Sequence, residues 1–328
     1  MKSILKRTLL ALTSLLLLTS CAAGGAAEAP DTDDSQSDTA AEVVTEPAPV
    51  YPAVAAPSDR QIDNHEPILL WPEDNIPYLL ENDEKNLQPT IRAYLCEGAD
   101  SAVVIFPGGG YFQLSDVSEG VDIAKTYNDA GFSAFVVNYR YEPYDGRAIL
   151  ADGQRAVQFV RYFAEDFGID PDKIALCGFS AGGHLSVMVA EHPVTDNFVG
   201  DVIGEVRSTP DACILAYPVT TLGEGTFETM PRIFLGENME NAEEIAKYSY
   251  PNNIGTMPPT FVFYSELDQF VNYEANSIAF ADAMKAAGRD VTIAAYTDGG
   301  HGIGLGKQYA DYANWHADSV AFLNEHGF

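Results

Sequence analysis

Two hydrophobic rhythms alternate along most of this chain. Residues 102–106, 132–138, 174–177, 212–217 and 260–264 are short apolar runs with little polar interruption. That is the pattern of strands covered on both faces, and residues 91–96 and 291–296 read as further strands. Between them the period changes to that of helices. In residues 118–130, Val121, Ala124 and Tyr127 share one face, Ser118 stands where a cap belongs and Gly131 ends the run. Residues 147–167 form a longer amphipathic stretch with Ala156, Val157, Val160 and Phe163 on one side, stopped at Gly168. Residues 273–287 and 308–323 complete the set. Strands alternating with helices of this length predict an α/β domain, a mostly parallel central sheet flanked by helices on both faces. Residues 219–257 fit neither period, and an insertion there is expected to build a lid or a substrate wall.

The first sixty residues follow different rules. Lys2, Lys6 and Arg7 precede an apolar run, residues 9–18, that is too short for a comfortable membrane span. It ends in Leu18-Thr19-Ser20-Cys21, which resembles a bacterial lipobox. The resemblance implies cleavage before Cys21 and lipidation of its thiol. Residues 22–60 are rich in Ala, Gly, Pro, Ser, Thr and acid; such a composition cannot bury a core. The expected organisation is a signal peptide over 1–20, a disordered acidic tether over 21–60 and a catalytic domain over 61–328, exported and held to the cell envelope by its lipidated N-terminus.

The chain has 48 acidic and 18 basic residues, a net charge of −30. That field repels nucleic acid and anionic lipid headgroups, so neither is an expected partner. Beyond Cys21 three cysteines remain, Cys96, Cys177 and Cys213, each in an apolar run without the spacing of a metal site. They read as buried thiols, with a Cys177–Cys213 disulfide the less favoured alternative.

The chemistry-bearing signals lie at strand ends. Gly178-Phe179-Ser180-Ala181-Gly182 follows a strand and opens a helix; a serine on so sharp a turn presents its Oγ clear of the sheet. Pro107-Gly108-Gly109-Gly110-Tyr111 follows another strand, and a chain without side chains can bring backbone N–H groups close to a developing oxyanion. Of six histidines, His301 sits in a glycine-rich loop between the last strand and the last helix, where an imidazole can reach the serine. His184 reads as a buttress of the helix after Ser180, and His65, His192, His316 and His326 fit less well. The favoured acid is Asp268, just past the strand 260–264, with Glu266 and Asp298 as rivals. The order Ser180, Asp268, His301 is that of α/β hydrolases.

With Val137-Asn138-Tyr139-Arg140 and Asp152-Gly153-Gln154-Arg155-Ala156-Val157, these segments resemble the α/β-hydrolase esterases over about residues 90–325. They are most similar to the acetyl-xylan-esterase and feruloyl-esterase-like branch, related to the hormone-sensitive-lipase group. The resemblance implies Ser180 as nucleophile, His301 as base and then acid, Asp268 as the orienting acid, and Gly109, Gly110 and Ala181 as oxyanion donors. It implies no metal and no organic cofactor. Pro107 stands where the lipase group has histidine, which departs from that group without touching the donors. Tyr111 and Phe112 are expected either to line the substrate pocket or to pack at the loop root. Asp152 and Arg155 are expected to tie the long helix to the sheet. Export and the family branch together point to acyl esters of carbohydrate such as acetylated xylan. An arylformamidase-like amidase and a non-catalytic glycan-binding protein on the same fold are the alternatives. Oligomeric state is left open.

Overall fold

The computed structural model describes residues 54–194, 197–227 and 229–328. The leader, Cys21 and most of the expected tether lie outside the described residues. The tether's last residues do not match the expectation. Val54 packs against the core, and Ser58 caps a short helix, α1 (Asp59–Asp63), in a reciprocal box with Gln61. The sequence signal for that helix is weak because it is one turn long and buries no residue of its own.

Eight strands form one sheet in the order β1-β2-β4-β3-β5-β6-β7-β8. They are β1 (Ile68–Leu69), β2 (Thr90–Tyr94), β3 (Ala102–Phe106), β4 (Ser133–Asn138), β5 (Ile174–Phe179), β6 (Ala212–Ala216), β7 (Thr260–Ser265) and β8 (Val291–Tyr296). β1 and β2 pair antiparallel, and every pairing from β4 to β8 is parallel. β3, β5, β6 and β7 are buried at every position, which is why they read as unbroken apolar runs. Alternate residues feed two cores: Val104 and Phe106 enter one, Val103 and Ile105 the other.

The helices divide between these cores. α2 (Asp122–Asp129) and α9 (Trp315–Glu325) cover one face of the sheet. α3 (Gly146–Tyr162), the short α4 (Ala164–Phe167), α5 (Ala181–Glu191) and α8 (Ala279–Ala286) cover the other. Two helices begin as π-helical turns, Val117–Val121 before α2 and Glu274–Ile278 before α8. The expected single helix over 147–167 breaks at Phe163, then closes on Gly168 at φ 75°. The expected helix over 308–323 starts later, at a 3₁₀ turn, Tyr312–Asn314. Its first residues are held as a loop because the Asp298 carboxylate accepts the N–H groups of Asp311 and Tyr312. The irregular stretch 219–257 carries two short helices, α6 (Thr229–Leu235) and α7 (Ala242–Lys247).

Asp152 and Arg155, on α3, do tie it down. Asp152 accepts from Trp71 and forms a fully buried ion pair with Arg140 at 2.7 Å; Arg155 pairs with buried Asp201. Cys177 and Cys213 are free thiols. They lie on neighbouring strands but feed opposite cores, so the sheet itself separates their sulfurs and the disulfide alternative is ruled out.

Candidate active site

Every strand from β3 to β8 points its carboxyl end at the same edge of the sheet, and parallel α/β sheets present their sites there. β5 ends in Ser180, whose φ of 52° and ψ of −114° lie outside the regions open to most residues. Its N–H donates to the Ala216 carbonyl, and its own carbonyl accepts from His184 and Val219. Neighbouring strands thus hold the strained turn in place. The flanking glycines are obligatory on steric grounds. A Cβ on Gly182 would stand 2.0 Å from the Phe106 carbonyl oxygen, and one on Gly178 would meet the Gly182 carbonyl oxygen at 2.3 Å.

Loops from two other strands complete the constellation. The Ser180 hydroxyl lies 2.8 Å from His301 Nε2, and His301 Nδ1 lies 2.7 Å from Asp268 Oδ2. A carboxylate only accepts, so Nδ1 carries the ring proton and Nε2 is left to accept from the serine. The second oxygen of Asp268 accepts the N–H groups of Phe270 and Val271, which aims the acid. Of the three candidate acids Asp268 is the one that meets His301. Glu266 is exposed, and Asp298 is occupied with the loop before α9.

The loop after β3 lies beside β5 because β3 and β5 are neighbours. Gly109 and Gly110 have φ of 133° and 63° and line the same cavity as Ser180 and His301. Among the described residues neither N–H is paired with an acceptor, whereas Gly108 N–H is taken by Glu119 Oε2 at 2.9 Å. Ala181 opens α5 directly after the serine.

Sequence reasoning missed part of the site. The cavity, about 200 Å³, is walled by Phe112, Val219, Phe227, Met230, Phe270 and Val271. Three of these come from the irregular stretch 219–257, where a wall was expected, though without named residues. Phe270 and Val271 were missed; they are apolar residues in a loop just beyond the acid, which was the local signal for them. Glu119 also faces the cavity although its side chain is almost wholly buried. Burial pushes its carboxyl up, and hydrogen bonds from Tyr217 and then Gly108 oppose that. Its bond to Tyr217 spans 98 positions in the chain, so no spacing could announce it.

Of the two expected substrate contacts, Phe112 lines the cavity and is 40% exposed. Tyr111 does not line it. Its ring is fully buried, stacks on Phe234 and donates its hydroxyl to His184 Nδ1 at 2.9 Å. The left-handed turn at Tyr111, φ 63°, drives the ring under the loop and away from the opening. His184 is completed by the Tyr248 carbonyl, which takes its Nε2 proton at 3.0 Å; burial lowers its pKa to about 4. Among the described residues no cluster of His, Cys, Asp or Glu could hold a metal ion, and no helix is long and apolar enough to cross a membrane.

A strained serine at a strand end, an imidazole and an acid on later loops, and a glycine loop on the adjacent strand define an α/β hydrolase. Residues 94–284 match the BD-FAE family, and the chain belongs to it. It is 31% identical over 225 residues to an acetylxylan esterase of Xylanibacter ruminicola, covering 65% of this chain and 45% of that one. It is 32% identical over 225 residues to endo-1,4-beta-xylanase B of Butyrivibrio fibrisolvens, covering 66% of this chain and 34% of the relative. The chain therefore spans less than half the length of these curated relatives. Among solved structures, an acetyl ester-xyloside bifunctional hydrolase from Caldicellulosiruptor lactoaceticus superposes with a TM-score of 0.75 at 32% identity, over 80% of this chain and 97% of that one. Esterase Est2 of Thermogutta terrifontis, with propionate bound, gives 0.63 at 26% identity, over 75% and 93%. The ester-hydrolase activities in these names belong to those relatives, and what this chain shares with them is the fold and the family.

Proposed function

We propose that the protein is a serine carboxylic-ester hydrolase that removes short acyl groups from carbohydrate esters such as acetylated xylan. The observation that carries this reading is the Ser180–His301–Asp268 relay opening on a small apolar cavity. Ser180 Oγ attacks the ester carbonyl while His301 Nε2 takes its proton. The carbonyl oxygen becomes an oxyanion against the N–H groups of Gly109, Gly110 and Ala181. Collapse expels the sugar alcohol, which receives the proton from His301. Water, activated by the same imidazole, then attacks the acyl-enzyme and releases the acid. Asp268 stabilises the imidazolium in both steps and does not itself take the proton.

A cavity of about 200 Å³ walled by aromatic and aliphatic side chains suits a short acyl chain and offers little to a long one. The acetylxylan esterase and the acetyl ester-xyloside hydrolase among the matches support acetyl on a xylan-type glycan. The lipobox-like Leu18-Thr19-Ser20-Cys21 supports an exported, lipid-anchored location, where polymeric substrate is met. The test is hydrolysis of acetyl, butyryl and octanoyl p-nitrophenyl esters beside acetylated xylan, with Ser180→Ala as the blank. Acetate release from xylan, with rates falling at longer chains, is expected. Turnover of the model esters without release from xylan would move the substrate to another small ester or amide. Silence on every substrate would return the chain to a non-catalytic binding role.

A further inference from the structure

Glu119 is a second buried acid beside the Ser180 relay, and among the described residues its carboxylate shares no hydrogen bond with Ser180 or Asp268. Its side chain is only 1% exposed. One oxygen accepts the N–H of Gly108, the first glycine of the loop that presents Gly109 and Gly110. The other accepts the hydroxyl proton of Tyr217 at 2.7 Å. Tyr217 leads on to the third loop. Its hydroxyl oxygen accepts the N–H of Gly304, and its ring packs edge-on against the His301 imidazole with centroids 4.9 Å apart. Tyr217 is itself held at a positive φ of 35°, and its N–H donates to the Phe263 carbonyl. The π-helical turn that carries Glu119 also touches the histidine loop directly. A Cβ on Gly304 would stand 2.4 Å from the Ser118 carbonyl oxygen.

The side chain has to be a carboxylate for a reason of hydrogen-bond direction. Gly108 N–H can only donate. Tyr217 already accepts from Gly304, so its own proton needs an acceptor. With the Ser115 side chain also hydrogen-bonded to it, donors converge on this one buried group and call for two acceptor oxygens without a proton between them. Burying a carboxylate carries a large desolvation cost, which the converging donors offset.

We infer that Glu119 is a positioning residue that couples the oxyanion loop to the histidine loop, through Gly108 on one side and Tyr217 on the other. This rests on the Ser180 esterase reading. Its effect should appear in the transition state, when the oxyanion and the imidazolium form together, and hardly in substrate binding.

The test is a double-mutant cycle on the full chain with p-nitrophenyl acetate. Glu119→Ala is expected to lower kcat by about 100-fold, the scale of a lost oxyanion donor, with KM changed by less than about threefold. Tyr217→Phe breaks one arm and is expected to cost about tenfold in kcat. Because one carboxylate serves both arms, the two losses should combine to clearly less than their product, the remainder being the acceptor for the Gly304 N–H, which only Tyr217→Phe removes. Circular dichroism and melting establish that each variant is folded. Should Glu119→Ala fail to fold, the near-isosteric Glu119→Gln keeps the Gly108 acceptor but turns a donor toward Tyr217, and it should show a kcat loss like that of Tyr217→Phe. A folded Glu119→Gln with the parent kcat overturns the inference, as do multiplicative losses in the cycle. Ser180→Ala, run alongside, separates the two readings: residual turnover there refutes the serine assignment, whereas a dead Ser180→Ala beside a fully active Glu119→Ala refutes the coupling alone.

Discussion

At the scale of single residues, the site depends on hydrogen bonds whose direction is settled by their partners. Asp268 can only accept, so it determines which nitrogen of His301 holds the proton, and two backbone N–H groups determine where Asp268 points. Asp268→Asn would offer an amide N–H toward Nδ1 and favour the wrong tautomer. Its kcat on p-nitrophenyl acetate is expected to drop by about 10³–10⁴-fold with little change in melting temperature. Ser180→Ala should abolish turnover and leave the fold intact, and labelling by a fluorophosphonate should vanish with it. Ser180 is the proposed nucleophile, whereas Asp268 would act only through the His301 ring it orients. A D268N enzyme with near-parent kcat would mean that Glu266 or Asp298 orients the imidazole instead.

At the scale of elements, the serine turn is a packing solution between β5, α5 and the loop after β3. Three glycines, Gly178, Gly182 and Gly183, let α5 start against neighbouring backbone: a Cβ on Gly183 would lie 2.7 Å from Pro218 Cβ. Gly182→Ala is expected to destabilise the domain by about 2–4 kcal/mol through overpacking against backbone that cannot yield, read as a lower urea midpoint. Gly168→Ala provides the contrast, since nothing lies within 4 Å of its Cβ position and only its φ of 75° is strained; it should cost about 1 kcal/mol. Equal midpoints for the two would show that the close approach at Gly182 is relieved by a shift of α5. The buried pair Tyr111–His184 belongs to this scale as well. It locks the root of the glycine loop to α5, and so an aromatic that reads as a pocket lining serves as a strut.

At the scale of the whole molecule, buried imidazoles make stability depend on pH. His184 and His316 are each held neutral by burial, with pKa lowered from 6.5 to about 4. The unfolded chain binds these protons near pH 6.5 and the folded chain only near pH 4. Between those values the unfolded state therefore carries more protons, and stability falls as the pH drops. For fully buried His184 the full effect is worth about 3 kcal/mol; His316, less completely buried, adds less. Melting temperature should decline steadily from pH 7 to pH 4.5, and His184→Gln should flatten that slope. An unchanged slope in the variant would move the effect to other groups. The N-terminal boundary offers a second check at this scale. A chain starting at residue 61 lacks the Ser58 cap and the Val54 contact, so it should be about 1–2 kcal/mol less stable in urea than one starting at residue 54.

What the sequence determined by itself was local or covalently ordered. Buried strands are legible because both faces of a parallel sheet are covered, so most of their residues are apolar. The serine turn is legible because its glycines and its serine are adjacent in the chain, and the order Ser180, Asp268, His301 follows from the order of the strands that carry them. Tertiary structure decided everything that depends on distant segments meeting. It separated Cys177 from Cys213 by the pleat, turned Tyr111 inward, chose Asp268 among three nearby acids and walled the cavity with residues from the irregular stretch 219–257. It also joined Glu119 to Tyr217, two residues that local patterning assigns to a helix start and a strand end. A side chain's partner across the fold depends on strand order and loop path, and neither is encoded in the spacing of its neighbours.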